Sequence, residues 1–370
     1  MGDVSESMPA AVFMGLRAVT VEERPTPPLG PHDVLVEVSH CGICGSDLHF
    51  LMEWGGHEGA IEGHEYSGTV VATGDEVDGW AVGDRIVGGP GAKCGRCEYC
   101  LAHRPSLCTE RGRVGTDEGE WQGAFARYKA IPASQVLRIP ENLASKHAAL
   151  AEPMAVALHG ITRGGGARPG TRWLVTGGGP IGFLSVAALK AQGVDDIVVS
   201  EPHERRRALC ERLGARTVHP DELTVPVMPH DMVEAPFDVA LECSGNNHAM
   251  ESALAQLKRA GTLVLVGAGI RRPKFDNNRI LLNELVITGA YVYDHDGFPR
   301  ALELLASGRV PLDELVEAED FPLNRLLDAA IGLHEGRLPA KAMVVPRVDP
   351  EATGAEGSRR RGQSGPLSGI

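Results

Sequence analysis

The sequence predicts an α/β chain in two parts, a β-rich first part and then a doubly wound parallel sheet. Three observations carry that prediction. Between residues 10 and 140, β-branched runs recur between Pro, Gly and Asp breakers. From about residue 145, apolar strands alternate with helical stretches, the grammar of a parallel sheet. One of those strands ends in Gly177-Gly178-Gly179-Pro180-Ile181-Gly182, a glycine turn that feeds directly into a helix.

In chain order, Val34-Leu35-Val36-Glu37-Val38 and Tyr66-Ser67-Gly68-Thr69-Val70-Val71 read as strands, and Gly83-Asp84-Arg85-Ile86-Val87 as a turn that becomes one. An Ala-rich helical stretch over 144–160 then leads to a strand at 172–176 and a helix at 180–192. A strand at 196–200 and a helix at 203–213 follow, then a strand at 238–242, a helix at 247–259 and a strand at 262–266. Residues 286–293 read as the last strand of the parallel sheet. Helices near 298–307 and 322–334 precede a short strand at 341–345. From Arg347 onward the chain is rich in Gly, Ser, Arg and Glu and reads as a disordered tail. No internal repeat is present at solenoid periods.

A length of 370 residues suits about two domains, and a composition of 43 % hydrophobic and 23 % charged residues suits a globular protein. The formal charge of −13 argues against nucleic-acid binding, which needs a basic surface. Residues 1–10 hold acidic groups and no apolar core, so they do not read as a secretory leader. The longest uncharged stretch, 173–189, is 17 residues long and broken by the glycine turn, too short for a membrane span. A cytoplasmic location is expected, where thiols stay reduced and can bind metal.

Cys94, Cys97, Cys100 and Cys108 are spaced Cys-x-x-Cys-x-x-Cys-x7-Cys. Four thiolates so close, with short spacers, can converge tetrahedrally on one Zn²⁺ and leave no open position. A disulfide knot belongs to small secreted chains. An iron–sulfur run of the bacterial type ends in Cys-Pro, whereas Thr109 follows Cys108. The loop therefore reads as a structural zinc site.

In the glycine turn, Gly177, Gly179 and Gly182 occupy the three positions of G-x-G-x-x-G. The first allows the tight turn, the second lets a pyrophosphate approach the backbone, and the third lets helix and strand pack closely. Pro180 and Ile181 open the helix, whose unpaired N–H groups face the phosphates. Glu201 ends the next strand, 19 residues after Gly182, where a carboxylate can take both ribose hydroxyls and repel a 2′-phosphate. NAD is thus expected. Arg205 and Arg206 pull toward NADP, and a solvated helix face beside Glu204 and Glu211 is the plainer reading of them.

Cys44, His64 and Glu152 are candidate donors for a second, open metal site, since three protein ligands plus one water make a catalytic zinc. They are spread over more than a hundred residues, and spacing alone does not join them. Cys41, Cys210 and Cys243 read as packed thiols. His57 and Glu58 lie in a Gly-rich loop, and Asp294-His295-Asp296 reads as a solvated turn. Lys341 is placed to pair with Glu65 across the fold.

Taken together, Cys41-Gly-Ile-Cys-Gly-Ser-Asp-Leu-His49, Gly63-His64-Glu65-Tyr66, the four-cysteine loop, Glu152-Pro153 and the Gly177–Gly182 turn resemble, in that order, the zinc-dependent medium-chain dehydrogenase/reductase family. The likeness spans roughly residues 10–346. It is greater to the polyol, sorbitol, threonine and butanediol dehydrogenase branch than to the liver-type alcohol dehydrogenases, which place a cysteine at Glu152. The resemblance implies a GroES-like β-rich catalytic domain (1–155) carrying both zincs and an inserted Rossmann doubly wound parallel sheet domain (156–295). A C-terminal return (296–346) to the first domain and the tail (347–370) complete that division, with the active site in the cleft. By motif match, the resemblance implies that Cys44, His64 and Glu152 ligate the catalytic zinc, that Glu65 competes with or replaces a ligand, and that the carboxylates bind directly or through water. Asp47 orients His64, and Ser46 and His49 relay the alcohol proton. Gly177, Gly179, Pro180, Ile181, Gly182, Glu201 and Arg206 are the residues expected at the cofactor.

The implied activity is hydride transfer between a secondary alcohol or polyol, or the matching ketone, and NAD(H), with two zinc ions per subunit in a homodimer or homotetramer. Zinc makes a bound hydroxyl far more acidic, and a hydroxyl at Ser46 with an imidazole at His49 suits the proton's exit. The alternatives are an NADP-dependent ketone reductase on the same scaffold and a non-catalytic zinc and nucleotide-binding relative. The latter would lack the open-site donors, all of which are present. Trp54, Trp121 and Tyr293 are candidates to shape the substrate pocket.

Overall fold

A computed structural model describes residues 4–55, 58–89, 93–110 and 122–350, without the side chain of Trp54. The chain opens with an antiparallel hairpin, β1 (Ser7–Gly15) and β2 (Ala18–Pro25). The β-rich part is built on β3 (Asp33–Gly42), β4 (Glu65–Thr73), β5 (Arg85–Gly88), β6 (Tyr128–Pro132) and β7 (Leu137–Arg138). All are paired antiparallel: β3 with β4 and β6, β4 with β5, and β5 with β7.

The second sheet is parallel and contains β8 (Trp173–Thr176), β9 (Ile197–Ser200), β10 (Arg216–Val218), β11 (Phe237–Glu242), β12 (Leu257–Leu265) and β13 (Val286–Gly289). Its spatial order is β10-β9-β8-β11-β12-β13. Every residue of β8 and β9 is buried, which is why both read as unbroken apolar runs rather than alternating ones. The order reverses between β8 and β11, and the crevice beyond their carboxyl ends is the natural place for a ligand. The glycine turn lies there.

Two short strands, β14 (Phe321–Pro322) and β15 (Met343–Val345), carry the chain back to the first sheet. β15 pairs antiparallel with β3, Met343 opposite Gly42 and Val344 opposite Cys41. The Leu326–His334 helix gives Leu326, Ala329, Ala330 and Leu333 to the core of the β-rich part. The Ala151–Arg163 helix is buried along most of its length and bridges the two parts; the boundary expected at residue 155 lies within it.

Some elements differ from expectation. The helix expected to reach residue 259 ends at Ala255, because Leu257 already pairs with Phe237 as β12. The strand expected over 286–293 stops at Gly289, and Val292 beyond it has a left-handed φ of 54°. β10, three residues at the sheet edge, is too short to give a periodic signal in the sequence. The tail expected from Arg347 begins with ordered chain, since the Leu323 N–H donates to the Arg347 carbonyl at 2.8 Å and Asn324 and Asp349 exchange two hydrogen bonds. Residues 351–370 of that tail lie outside the described residues.

Candidate active site

The thiol sulfurs of Cys94, Cys97, Cys100 and Cys108 all lie within 4.8 Å of one another. The Cys94–Cys108 and Cys94–Cys100 sulfurs are 3.5 and 3.9 Å apart, far beyond the ~2.05 Å of a disulfide. Backbone N–H groups point at sulfur: Cys94 donates to Cys108 Sγ at 3.4 Å, and Cys97 to Cys94 Sγ at 3.3 Å. Backbone donors at Cys100 and Thr109 draw the Cys97 thiol down to about 6, into the thiolate range a metal requires. Burial and the neighbouring Cys97 push Cys100 up to about 12. Four converging sulfurs, with the Cys108 thiol also lowered by the Cys94 backbone N–H, fit a closed zinc site.

The second donor set is assembled by the register of β3 against β4. Gly42 faces Glu65, which brings the Cys44 segment beside the start of β4. Gly63, at φ +98°, turns the chain into His64; a Cβ there would press on Cys41 Sγ and the Phe125 backbone nitrogen, each 2.9 Å away. Donor atoms of Cys44, His64 and Glu65 cluster within 4.8 Å. Glu152 does not share that cluster, but it is buried in the first turn of the Ala151–Arg163 helix and its charge is felt at His64. Burial alone would push the His64 imidazole down; the Cys44 thiol, Asp47 and Glu152 override it and hold it well above the usual range.

Asp47 is buried in the short Gly45–His49 helix and accepts the Cys44 backbone N–H at 2.8 Å. Burial pushes its carboxyl up to about 6, against the opposing pull of His64, and its Oδ1 has no hydrogen-bond partner among the described residues. Lys341 closes the other side. Its Nζ lies 2.8 and 2.6 Å from the two Glu65 oxygens and donates to the Ile43 carbonyl at 2.9 Å, so the pairing expected from sequence is present. Cys44, Glu65, Asp47 and Glu152 crowd acidic donors around one buried lysine and one imidazole, and an orphaned carboxylate oxygen remains. That donor set fits a divalent cation of the zinc type.

Ser46 is half-buried on the helix that follows Cys44. His49 Nδ1 is 2.8 Å from Glu53 Oε2, a partner the sequence reading missed although its i+4 spacing was a signal. His57 and Trp121 lie outside the described residues, as does the Trp54 side chain, and Glu58 is exposed. Cys41 and Cys243 are held well above the usual thiol range by burial and Cys210 is pushed up to about 12, as packed thiols should be. Asp294 departs from the solvated turn expected of it, since it accepts the Ser106 hydroxyl at 2.7 Å.

At the crevice, Gly177 has φ +92° and opens the turn. A Cβ on Gly182 would collide with the Gly177 carbonyl, whereas one on Gly179 would meet nothing nearer than Arg206 Nη1, at 3.9 Å. Gly182 thus serves packing and Gly179 keeps the face of the turn open, a cradle that fits a pyrophosphate. Glu201 is buried, accepting Gly178 N–H at 2.7 Å and His203 N–H at 2.8 Å. Pro180 is the first residue of the Pro180–Ala191 helix, and Ile181 is half-buried beside it. Arg205 and Arg206 do not simply face solvent beside acidic neighbours: they donate to the carbonyls of Arg337 (3.1 Å) and Leu333 (2.6 Å).

Two family models match this architecture, the alcohol dehydrogenase GroES-like domain over residues 30–141 and the zinc-binding dehydrogenase over 180–307. The chain belongs to the zinc-binding alcohol dehydrogenase family. Among curated relatives, the sorbitol dehydrogenase of Bacillus subtilis is 34 % identical over 340 residues, 88 % of this chain and 93 % of that protein. Among solved structures, a 2R,3R-butanediol dehydrogenase from Bacillus subtilis superposes with a TM-score of 0.80 at 29 % identity, covering 92 % of this chain and all of that one. A zinc-binding dehydrogenase from Sinorhizobium meliloti, solved bound to NADP, has a TM-score of 0.80 at 31 % identity, with 92 % and 100 % covered. The chain is therefore a zinc-dependent oxidoreductase of this family, acting on an alcohol or its ketone with a nicotinamide cofactor. It has the GroES-like and Rossmann architecture expected from its motifs. No helix among the described residues is long and apolar enough to cross a membrane.

Proposed function

We propose that this chain oxidises secondary alcohols of the polyol or vicinal-diol class with NAD. The observation that carries the reading is the Cys44–His64–Glu65 cluster, with Glu152 beside it, on a scaffold whose glycine turn is open at Gly179. Cys44, His64 and a carboxylate of Glu65 or Glu152 would hold the catalytic zinc, and the four cysteines the structural one. Held there, zinc would supply the Lewis acidity that makes a hydroxyl more acidic or a carbonyl more electrophilic, and a nicotinamide in the crevice would supply the hydride acceptor or donor.

The chain's own groups do the rest. Asp47 fixes the Cys44 backbone and opposes the charge on His64, which orients the imidazole. Lys341 neutralises Glu65 and draws its carboxylate to one side. Ser46 Oγ takes the substrate proton and hands it to His49. The His49 ring is held in place by Glu53, its Nδ1 lying 2.8 Å from Glu53 Oε2, which fixes the imidazole on the proton's exit path. Glu201 places negative charge under the turn where a 2′-phosphate would sit, which favours NAD. Arg206 beside Gly179 supports the second reading, an NADP-dependent ketone reductase.

The same reading takes the chain as a cytoplasmic homodimer or homotetramer, with a catalytic domain at 1–155, a nucleotide domain at 156–295 and a C-terminal return at 296–346. The apolar residues that the Leu326–His334 helix gives to the β-rich core support that return. The test is initial rates on a panel of polyols, vicinal diols, amino alcohols and sugars with NAD and with NADP, read by reduced-nicotinamide absorbance. Polyols or diols with NAD should give the highest kcat/KM, and a tenfold or greater preference for the phosphorylated cofactor would reject the NAD assignment. His64→Ala should abolish turnover and leave one zinc per chain.

A further inference from the structure

Residues 290–296 leave β13 and cross from the nucleotide sheet onto the β-rich part as a strap. Its first anchor is conformational. Val292 has φ +54°, a backbone state that a β-branched residue keeps only when its surroundings enforce it. The second anchor is Tyr293, a buried ring stacked on Phe298 with centroids 5.4 Å apart. Its hydroxyl fills the space that a Cβ on Gly89 would need, and Glu152 Cγ is 3.5 Å from that same point. The third is Asp294, which accepts the Ser106 hydroxyl at 2.7 Å on one oxygen. Its other oxygen is 3.8 Å from His159 Nδ1 and 3.9 Å from Arg104 Nε. The next residue, His295, stacks on His103 at 5.6 Å.

The partners are informative. His103, Arg104 and Ser106 all lie between Cys100 and Cys108, so the groups that grip the strap belong to the metal loop itself. Ser106 is buried, and its bond to a carboxylate is of the stronger, charge-assisted kind. His159 lies seven residues beyond Glu152 on one helix, two turns along the same face. The strap therefore follows that helix, with Tyr293 at the Glu152 end and Asp294 at the His159 end.

We propose that Asp294 is a positioning residue that ties the four-cysteine lobe to the strap and thereby holds the Tyr293 hydroxyl beside Glu152. Zinc in the structural lobe is then felt at the reactive centre through a mechanical route. The cysteines fix Ser106, Ser106 fixes Asp294, and Asp294 fixes the ring whose hydroxyl lies with the Glu152 side chain against Gly89. Tyr293 is the effector of this route and Asp294 acts only through it.

The inference rests on the dehydrogenase reading, and the test is a double-mutant cycle in the zinc-loaded full chain. Asp294→Ala and Tyr293→Phe should each lower kcat/KM for the alcohol by about tenfold. The double variant should be no worse than the poorer single one. Losses that multiply would overturn the route through Tyr293. Asp294→Asn keeps an acceptor for Ser106 and should recover most of the activity; an Asn variant as impaired as Ala would overturn the role of that bond. A further readout needs no turnover. In the His64→Ala background, which retains only the structural zinc, Asp294→Ala should release it to a chelator at least about fivefold faster. Unchanged release would overturn the coupling. A wild-type chain that oxidised no alcohol would count against the proposed function, while zinc release would still decide the clasp.

Discussion

Replacing Lys341 with Met should destabilise the β-rich part by about 3–5 kcal/mol. The Lys341 and Glu65 side chains are each 1 % exposed, with the ammonium 2.6–2.8 Å from both carboxylate oxygens. At an effective dielectric of about 20, two unit charges at that distance attract by about 6 kcal/mol, which offsets much of their shared desolvation. Met fills nearly the same volume, so packing loss is a minor term. What remains is a stranded buried carboxylate, together with the loss of the bond to the Ile43 carbonyl. Burial would pull the Lys341 ammonium down, but Glu65, Cys44 and Glu152 carry it above its ordinary value. A lysine raised in this way contributes fully at neutral pH and loses its contribution only as pH climbs through that folded value. The assay is the thermal midpoint at fixed protein and metal concentration in the His64→Ala background, which is taken as the wild-type reference because it retains only the structural zinc and leaves no catalytic zinc to compensate Glu65. A drop of at least about 5 °C is expected. The double variant Lys341→Met/Glu65→Gln should regain about half of it, since no charge is then stranded. A single variant within about 0.5 kcal/mol of wild type, or a double variant no better than the single, would refute the reasoning.

Cys97→Ser should cost one zinc equivalent by metal analysis and lower the thermal midpoint, because a hydroxyl cannot replace a thiol that backbone donors make readily ionised. Two alanine substitutions in one turn should part company. Gly179→Ala leaves the thermal midpoint unchanged and raises the KM for NAD, whereas Gly182→Ala collides with the Gly177 carbonyl and lowers the midpoint itself. Burial lowers the His40 pKa against the opposing pull of Asp320. The unfolded chain therefore takes the proton first, and stability is whole above about pH 6.5 and falls as pH drops below it. His40→Gln should flatten that slope in denaturant titrations across roughly pH 5–7; an unchanged slope would remove His40 from the acid response.

What was legible in the sequence was local. Four cysteines within fifteen residues and a glycine turn between strand and helix state their geometry through spacing alone. The Cys44–His64 pairing needs the β3–β4 register, which the β-branched runs suggest and the motif order makes specific. The link between Ser106 and Asp294 was not legible, because 188 positions separate them and a polar triplet after a strand looks like an ordinary turn. Nor did spacing show that the Glu201 carboxylate would be occupied by the N–H groups of Gly178 and His203. The position marked a ribose ligand, whereas the fold also uses it to brace the turn.

The pairing of β15 with β3 has a consequence for the order of assembly. Cys41 and Gly42, already paired with β4 on one side, receive their second strand partner from residues 343 and 344, and Lys341 contacts Ile43 across 298 positions of chain. During synthesis the parallel sheet, complete at Gly289, can close as a unit while the β-rich part still waits with an unpaired strand edge and an uncompensated Glu65. Such an edge invites mispairing until it is covered. The late arrival of β15 therefore acts as a completion check: the charge balance of the open metal site is reached only once the chain that frames the cofactor has already been made.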